Sequence, residues 1–199
     1  MGGSVTPQAP GRLEVVRAFV NSADLEAGTD QLATPADLDA WSQRQGLVSV
    51  IESSDSELDR VLALREALRT VLGAHHHPEV ASETALEVIN EGLRWGGVRP
   101  ILTESSLAWT SLGEGVPGLV GQLLSTVLAA ESTGHWSRLK ACSNDSCQWA
   151  FYDHSRSRTG RWCSMQICGN RAKQQRFHRG KDSSEAEDRR SNDGRTRGR

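Results

Sequence analysis

The sequence predicts a mainly α-helical N-terminal domain with one small β-hairpin, an α+β arrangement, followed by a compact module organised around a cysteine cluster. Three observations lead there. Apolar residues recur at three- and four-residue spacing over most of 13–137. One stretch near 98–112 switches to alternation. All four cysteines of the 199-residue chain fall between Cys142 and Cys168.

Residues 1–12, rich in Gly, Pro and Ser, read as a disordered tail. From Leu13, the spacing of Val15, Val16, Phe19, Val20 and Ala23 predicts a helix ending near Gly28. Thr34 followed by Pro35 is an N-cap with proline in the first helical position, and Leu38, Trp41 and Gln45 share a face until Gly46. The clearest helix spans Ser54 to Gly73. Ser54 and Glu57 open it as a capping box, and Leu58, Val61, Leu62, Leu64, Leu68, Val71 and Leu72 form a wide apolar stripe. A fourth helix is predicted from Glu79 to Leu93, with Ala81, Ala85, Leu86, Ile89 and Leu93 inward. Trp95, Gly96 and Gly97 break it. RPILT and SLAWTSL then alternate as two short strands joined by a turn at Glu104–Ser106. A last helix, from Val116 to about Arg138, carries Leu119, Val120, Leu123, Leu124, Val127 and Leu128.

Composition excludes some classes. Mean hydropathy is −0.49 and no apolar run approaches the roughly 20 residues of a membrane helix. The opening MGGSVTPQAPGRLEVV lacks the basic patch and long apolar run of a secretory leader, so a reducing cytoplasm without disulfides is expected. The net charge of −2 conceals an asymmetry: residues 1–137 carry 8 Lys/Arg against 18 Asp/Glu, whereas 138–181 carry 10 against 2. Such a split implies two regions with different partners. The last residues, GKDSSEAEDRRSNDGRTRGR, hold no apolar side chain larger than Ala186 and are expected to be disordered.

The cysteines are spaced Cys142-x4-Cys147-x15-Cys163-x4-Cys168. Two close pairs across a 15-residue loop can present four thiolates to one ion. Zinc is the natural occupant, because soft sulfur disfavours Mg²⁺ and Ca²⁺ and four thiolates leave no open coordination position. An iron–sulfur cluster and free or redox-active thiols are the alternatives that spacing alone leaves open, with His135 and His154 as spare ligands. A segment of about 40 residues cannot hold a fold by burial alone, so the metal would supply folding free energy, with Trp149, Phe151, Tyr152 and Trp162 as a miniature core beside it.

After Cys168, GNRAKQQRFHRG consists of good helix formers, which places the last ligand at the start of a helix in a treble-clef-like zinc finger. Arg171, Gln174, Gln175, His178 and Arg179 can share a face there. Arg and Gln read guanine and adenine edges, while Arg156, Arg158, Arg161, Lys173 and Lys181 can meet phosphates. With Arg176, these residues, Lys181 apart, form the candidate DNA-binding set. The division expected is therefore 1–12 tail, 13–137 helical domain, 138–180 finger and 181–199 tail.

CSNDSCQWAFYDHSRSRTGRWCSMQICGNRAKQQRFHR resembles the CGNR zinc finger, named for the motif that here is Cys168, Gly169, Asn170 and Arg171; WAFYDH at Trp149–His154 and WCSM at Trp162–Met165 belong to the match. LEVVRAFVNSADLEAGTDQLATPADLDAW is similar to the ABATE domain that precedes this finger in a family of bacterial stress-induced transcription regulators. The resemblance spans about 13–180 and implies a zinc-dependent regulator that binds double-stranded DNA. Many members have an acidic residue immediately before the Phe-Val-Asn, where this chain has Ala18.

The leading expectation is thus a transcription regulator whose acidic domain senses a small-molecule effector or forms a homodimer while its finger binds DNA. The second is an interaction module whose finger docks an acidic protein. An enzyme is not expected: no Ser/His/Asp order, phosphate loop or open metal position stands out, and His75–His77 before Pro78 read as loop residues.

Overall fold

The computed structural model describes residues 7–47, 52–76, 82–104, 106–175 and 177. The chain divides into two units, one running to Cys163 and a second from Ser164 onward.

In the first unit, helix α1 (Leu13–Val20) buries Leu13, Val16, Phe19 and Val20. It is shorter than its periodicity predicts. The Ser22 hydroxyl donates to the Phe19 carbonyl, and Asp24 Oδ1 accepts from the Glu26 and Ala27 amides. With Gly28 at φ +66°, these contacts fold the expected last helical turns into a minimal hairpin, β1 (Ala23–Asp24) and β2 (Thr29–Asp30). Short polar side chains compete with helical bonding for the backbone, and here they win. Ala9, assigned to the tail by composition, is 5% exposed, and its amide donates to Glu14 Oε2, so the ordered chain begins before Leu13.

Helices α2 (Pro35–Arg44) and α3 (Asp55–Ala74) start as read, each with both reciprocal bonds of a capping box, at Thr34/Asp37 and Ser54/Glu57. Helix α4 (Glu83–Trp95) begins later than expected; Ala81 lies outside the described residues, and Leu86, expected inward, is 44% exposed. Strands β3 (Val98–Leu102) and β4 (Leu107–Ser111) form the expected antiparallel hairpin, from Val98↔Ser111 to Leu102↔Leu107. Helix α5 (Gly115–Ser132) stops six residues short of Arg138. Gly134 at φ +69°, with His135 N–H donating to Ala130 O and Gly134 N–H to Glu131 O, closes it in a Schellman motif.

Helices α1, α3, α4 and α5 pack on one another around Val16, Phe19, Leu64, Leu68, Leu72, Leu119, Leu123 and Leu124, each at most 2% exposed. One approach demands glycine on both sides. A Cβ on Gly96 would stand 2.6 Å from Gly121 Cα, so the end of α4 lies directly against the α5 backbone.

A 3₁₀ turn (Trp136–Arg138) leads into β5 (Leu139–Ala141), which pairs antiparallel with β6 (Ala150–Tyr152). Leu139, Ala141, Ala150 and Tyr152 belong to the same buried cluster as the helices. The separate miniature core expected of the aromatics is therefore not what forms: Tyr152 joins the main core, Phe151 stacks on His76, and Trp149 and Trp162 are only half-buried. The second unit carries a π-helical turn (Met165–Gly169) continued by α-helical residues 170–175. Among the described residues no helix is long and apolar enough to cross a membrane.

Candidate metal centre and basic surface

The x4 spacing has a local explanation. Cys142 continues β5, its amide donating to Trp149 O, and the chain then reverses through a turn in which Asn144 O accepts from both the Cys147 and Gln148 amides. Gln148 sits at φ +46°, and the Asn144 side chain accepts from Ser146 Oγ. This turn brings Cys147 back beside Cys142. Ser143 N–H donates to Arg161 O, drawing the segment that ends in Cys163 alongside. Ser164 Oγ accepts from Ile167 N–H and caps the turn that carries Cys168, which the sequence placed at a helix start.

The four sulfurs all lie within 4.8 Å of one another, and Cys147 Sγ is 3.7 Å from Cys163 Sγ. A Zn–S bond of about 2.3 Å in a tetrahedron sets sulfurs about 3.8 Å apart, so donor type, number and spacing fit zinc. The titration chemistry agrees. Hydrogen bonds from the Cys147 and then the Cys163 thiol hold Cys142 down to about 4, against burial. The bond to Cys142 in turn pushes Cys147 up, and the bonds to Cys142 and Cys147 push Cys163 far above the ordinary thiol range. A divalent cation bound by thiolates displaces the thiol protons, which couples metal binding at this cluster to pH. His135 and His154 are not part of this cluster: His135 Nδ1 meets the Tyr152 hydroxyl at 2.5 Å and His154 Nε2 the Gln8 carbonyl at 3.0 Å.

Beside the metal centre lies a buried ion pair. Lys140 Nζ and Asp153 Oδ2 are 2.9 Å apart, and each side chain is 3% exposed. The pair holds the following loop. Lys140 also donates to the Arg158 and Gly160 carbonyls, while Asp153 accepts from the Ser155 hydroxyl and amide and from Gly160 N–H. Burial raises the Asp153 carboxyl, but Ser155 and Lys140 outweigh it and hold the group well below the usual carboxylate range. Gly160 is required, since a Cβ there would come 2.9 Å from the Asp153 carboxyl. This loop presents Arg156, Arg158 and Arg161, all exposed.

Four buried or half-buried side chains fasten β5, β6 and their turn to the helices. Asn21 accepts from Ala150 N–H at 2.7 Å and donates to Ala150 O at 2.9 Å. Arg69 donates to the Val20, Ala23 and Gln148 carbonyls. His75 Nδ1 lies 2.7 Å from Leu139 O, and His76 Nε2 meets Ala141 O. The first two histidines of the triplet thus cap backbone carbonyls, while His77 lies outside the described residues. None of these roles stands out in a single sequence. Arg65 and Arg69 interrupt an apolar stripe where exposure is the default, yet Arg65 is 5% exposed and forks onto Asp30 at 2.7 Å through both terminal nitrogens.

Of the sequence-derived DNA-contacting set, Arg171, Lys173, Gln174 and Gln175 lie exposed on the helical segment after Cys168. Arg176, His178 and Arg179 lie outside the described residues.

Two family models match the chain. Residues 13–133 match the ABATE model, described as "Putative stress-induced transcription regulator". The chain belongs to the ABATE family. Residues 138–181 match the CGNR zinc finger, which contains all four cysteines of the centre. The ABATE match covers α1 through α5, and the CGNR match begins at the 3₁₀ turn and includes the Lys140–Asp153 loop. No curated protein matches the sequence. Within this ABATE protein the cysteine centre is a zinc site with four protein ligands.

Proposed function

We propose that this protein is a zinc-dependent DNA-binding transcription regulator of the cytoplasm, in which the finger contacts duplex DNA and the acidic helical domain senses an effector or mediates dimerisation. The observation that carries the reading is the exposed cationic set on a zinc-fixed scaffold: Arg156, Arg158 and Arg161 on a loop pinned by Lys140 and Asp153, and Arg171, Lys173, Gln174 and Gln175 on the helical segment after Cys168. Arginine and glutamine on a helix suit base edges, and loop cations suit phosphates. Arg176, His178 and Arg179 complete the proposed contact set. A closed four-thiolate site leaves no position for an activated water, so the metal acts structurally, without a catalytic role.

Fluorescence anisotropy with the zinc-loaded protein and labelled duplexes tests this. Affinity should fall steeply with salt, and Lys173→Ala should weaken binding to all sequences alike while reducing the salt slope by about 1. Arg171→Ala or Gln175→Ala should relax sequence preference. No retention of any duplex at low salt overturns the reading in favour of a finger that docks an acidic protein.

A further inference from the structure

The helical domain holds a cavity of about 460 Å³ lined by one face of α5, by strand β4 and by Arg12, which precedes α1. Ligand sites of small molecules occupy about 300–1,000 Å³ and combine apolar or aromatic surface with a few placed polar groups. On α5, Gln122, Ser125, Thr126 and Ala129 recur at three- and four-residue spacing and so share the face that lines the cavity. Its hydroxyls are not equivalent. Thr126 Oγ1 donates at 2.8 Å to the Gln122 carbonyl one turn back, the bond by which helical Ser and Thr commonly satisfy themselves. Ser125 Oγ is buried from solvent and has no hydrogen-bond partner among the described residues. A buried hydroxyl left unmet is costly, and a ligand that accepts its proton removes that cost.

Strand β4 offers more polar groups. Thr103 N–H to Ser106 O and Leu112 N–H to Gly97 O mark bonded pairs of the hairpin, so the antiparallel alternation turns the backbone N–H and C=O of Trp109 and Ser111 away from β3. Both residues line the cavity. The charge there has one sign. Arg12 is the sole ionisable side chain among the lining residues and makes no ion pair or hydrogen bond among the described residues. By contrast, Arg17, Arg60, Arg65, Arg69 and Arg94 of the same domain each meet a carboxylate. The half-buried Trp109 ring has no cation or second ring against it among the described residues, which leaves its face to a planar ligand.

We infer that this cavity binds a small aromatic carboxylate, its ring against Trp109 and its carboxylate accepting from the Ser125 hydroxyl and the Arg12 guanidinium. A cation finds no carboxylate in the lining, and a purely apolar body leaves Ser125 unmet. The inference gives the effector proposed for the helical domain a chemical class, and it rests on that proposal only for its regulatory meaning. Its test reads ligand binding alone, so a missing site and a missing affinity for DNA are separate results.

The probe pair is naphthoate and naphthamide, which share a ring system and nearly a shape but differ in charge. Titration calorimetry on the full zinc-loaded chain should show the carboxylate binding at least about tenfold more tightly than the amide, because hydrogen bonds to a charged acceptor are the stronger. Arg12→Gln should weaken the carboxylate roughly two- to fivefold, the range of an exposed ion pair, and leave the amide unchanged. Ser125→Ala should weaken the carboxylate about tenfold or more. In the unliganded protein the same substitution should leave the thermal midpoint level or raise it, whereas loss of a structural hydroxyl lowers it. Equal affinity for the two probes, no saturable binding of the carboxylate, or carboxylate binding that either variant leaves unchanged overturns the inference.

Discussion

The helices and the cysteine-bearing hairpin of the first unit are held by different forces. α1, α3, α4 and α5 are joined by apolar contact among side chains such as Phe19, Leu68, Leu119 and Leu123. β5, β6 and their turn are fastened by polar atoms as well: Asn21, Arg69, His75 and His76 satisfy the backbone of Ala150, Gln148, Leu139 and Ala141. The difference teaches where the zinc is needed. The hairpin that carries Cys142 and Cys147 already has a scaffold, since Leu139, Ala150 and Tyr152 share the helical core. Among the described residues from Ser164 onward only Cys168 and Gly169 are buried, and they make no comparable apolar core. A finger thought of as an independent bead is thus, for its first half, an extension of the domain before it.

Removing the metal should produce the largest effect and divide these two parts. Structural zinc contributes on the order of 10 kcal/mol to small sites. Chelation, or Cys168→Ser, should unprotect amides of 165–175 in hydrogen exchange while those of α3 and α5 keep their protection. Loss of protection throughout the first unit would mean that the hairpin is not carried by the helices.

Next come two substitutions that weigh apolar against polar fastening. Leu68→Ala, at a fully buried position of α3, should cost about 2–5 kcal/mol in urea denaturation. Asp153→Ala leaves Lys140 buried and unpaired, and should cost about 3–5 kcal/mol. Lys140→Met together with Asp153→Leu should recover much of that loss, because replacing a buried ion pair by apolar side chains is often neutral. Of similar size is the effect of Asn21→Ala, which strands both backbone groups of Ala150 at about 1–3 kcal/mol for each unsatisfied group.

What could be read in advance follows the same division. The N-cap at Thr34, the capping box at Ser54, the alternating hairpin and the cysteine spacing are local chemistry, and each was legible from nearby residues. The end of α1 was not, because Val20 to Ala23 continues a helical period while Ser22 and Asp24 quietly bind backbone. Buried cations were illegible for a stronger reason. Arg65, Arg69 and Lys140 look like surface charges until their partners Asp30, Gln148 and Asp153 arrive from elsewhere in the chain. Asn21 pairs with a strand 129 positions away, a relation no periodicity encodes.

The smallest effect expected separates burial from charge at the same junction. His75 packs edge-on against Trp136 and directs Nδ1 at the Leu139 carbonyl, which accepts from it in the neutral tautomer. Burial pulls its pKa below the ordinary histidine value, and the Leu139 carbonyl and Glu131 only partly oppose this. Above about 6.5, folded and unfolded chains both hold the ring neutral, so stability is insensitive to it. As pH falls through that value the unfolded chain takes up the proton first, and stability declines until the lower folded value is passed. His75→Asn keeps a donor for Leu139 but cannot titrate. In excess zinc, denaturation midpoints of the parent protein should fall relative to this variant as pH drops from 7 to 5.5. Parallel midpoints across that range would mean that the ring takes up its proton in the fold at the same pH as in the unfolded chain, and that the polar fastening of β5 tolerates a buried cation there as it does at Lys140.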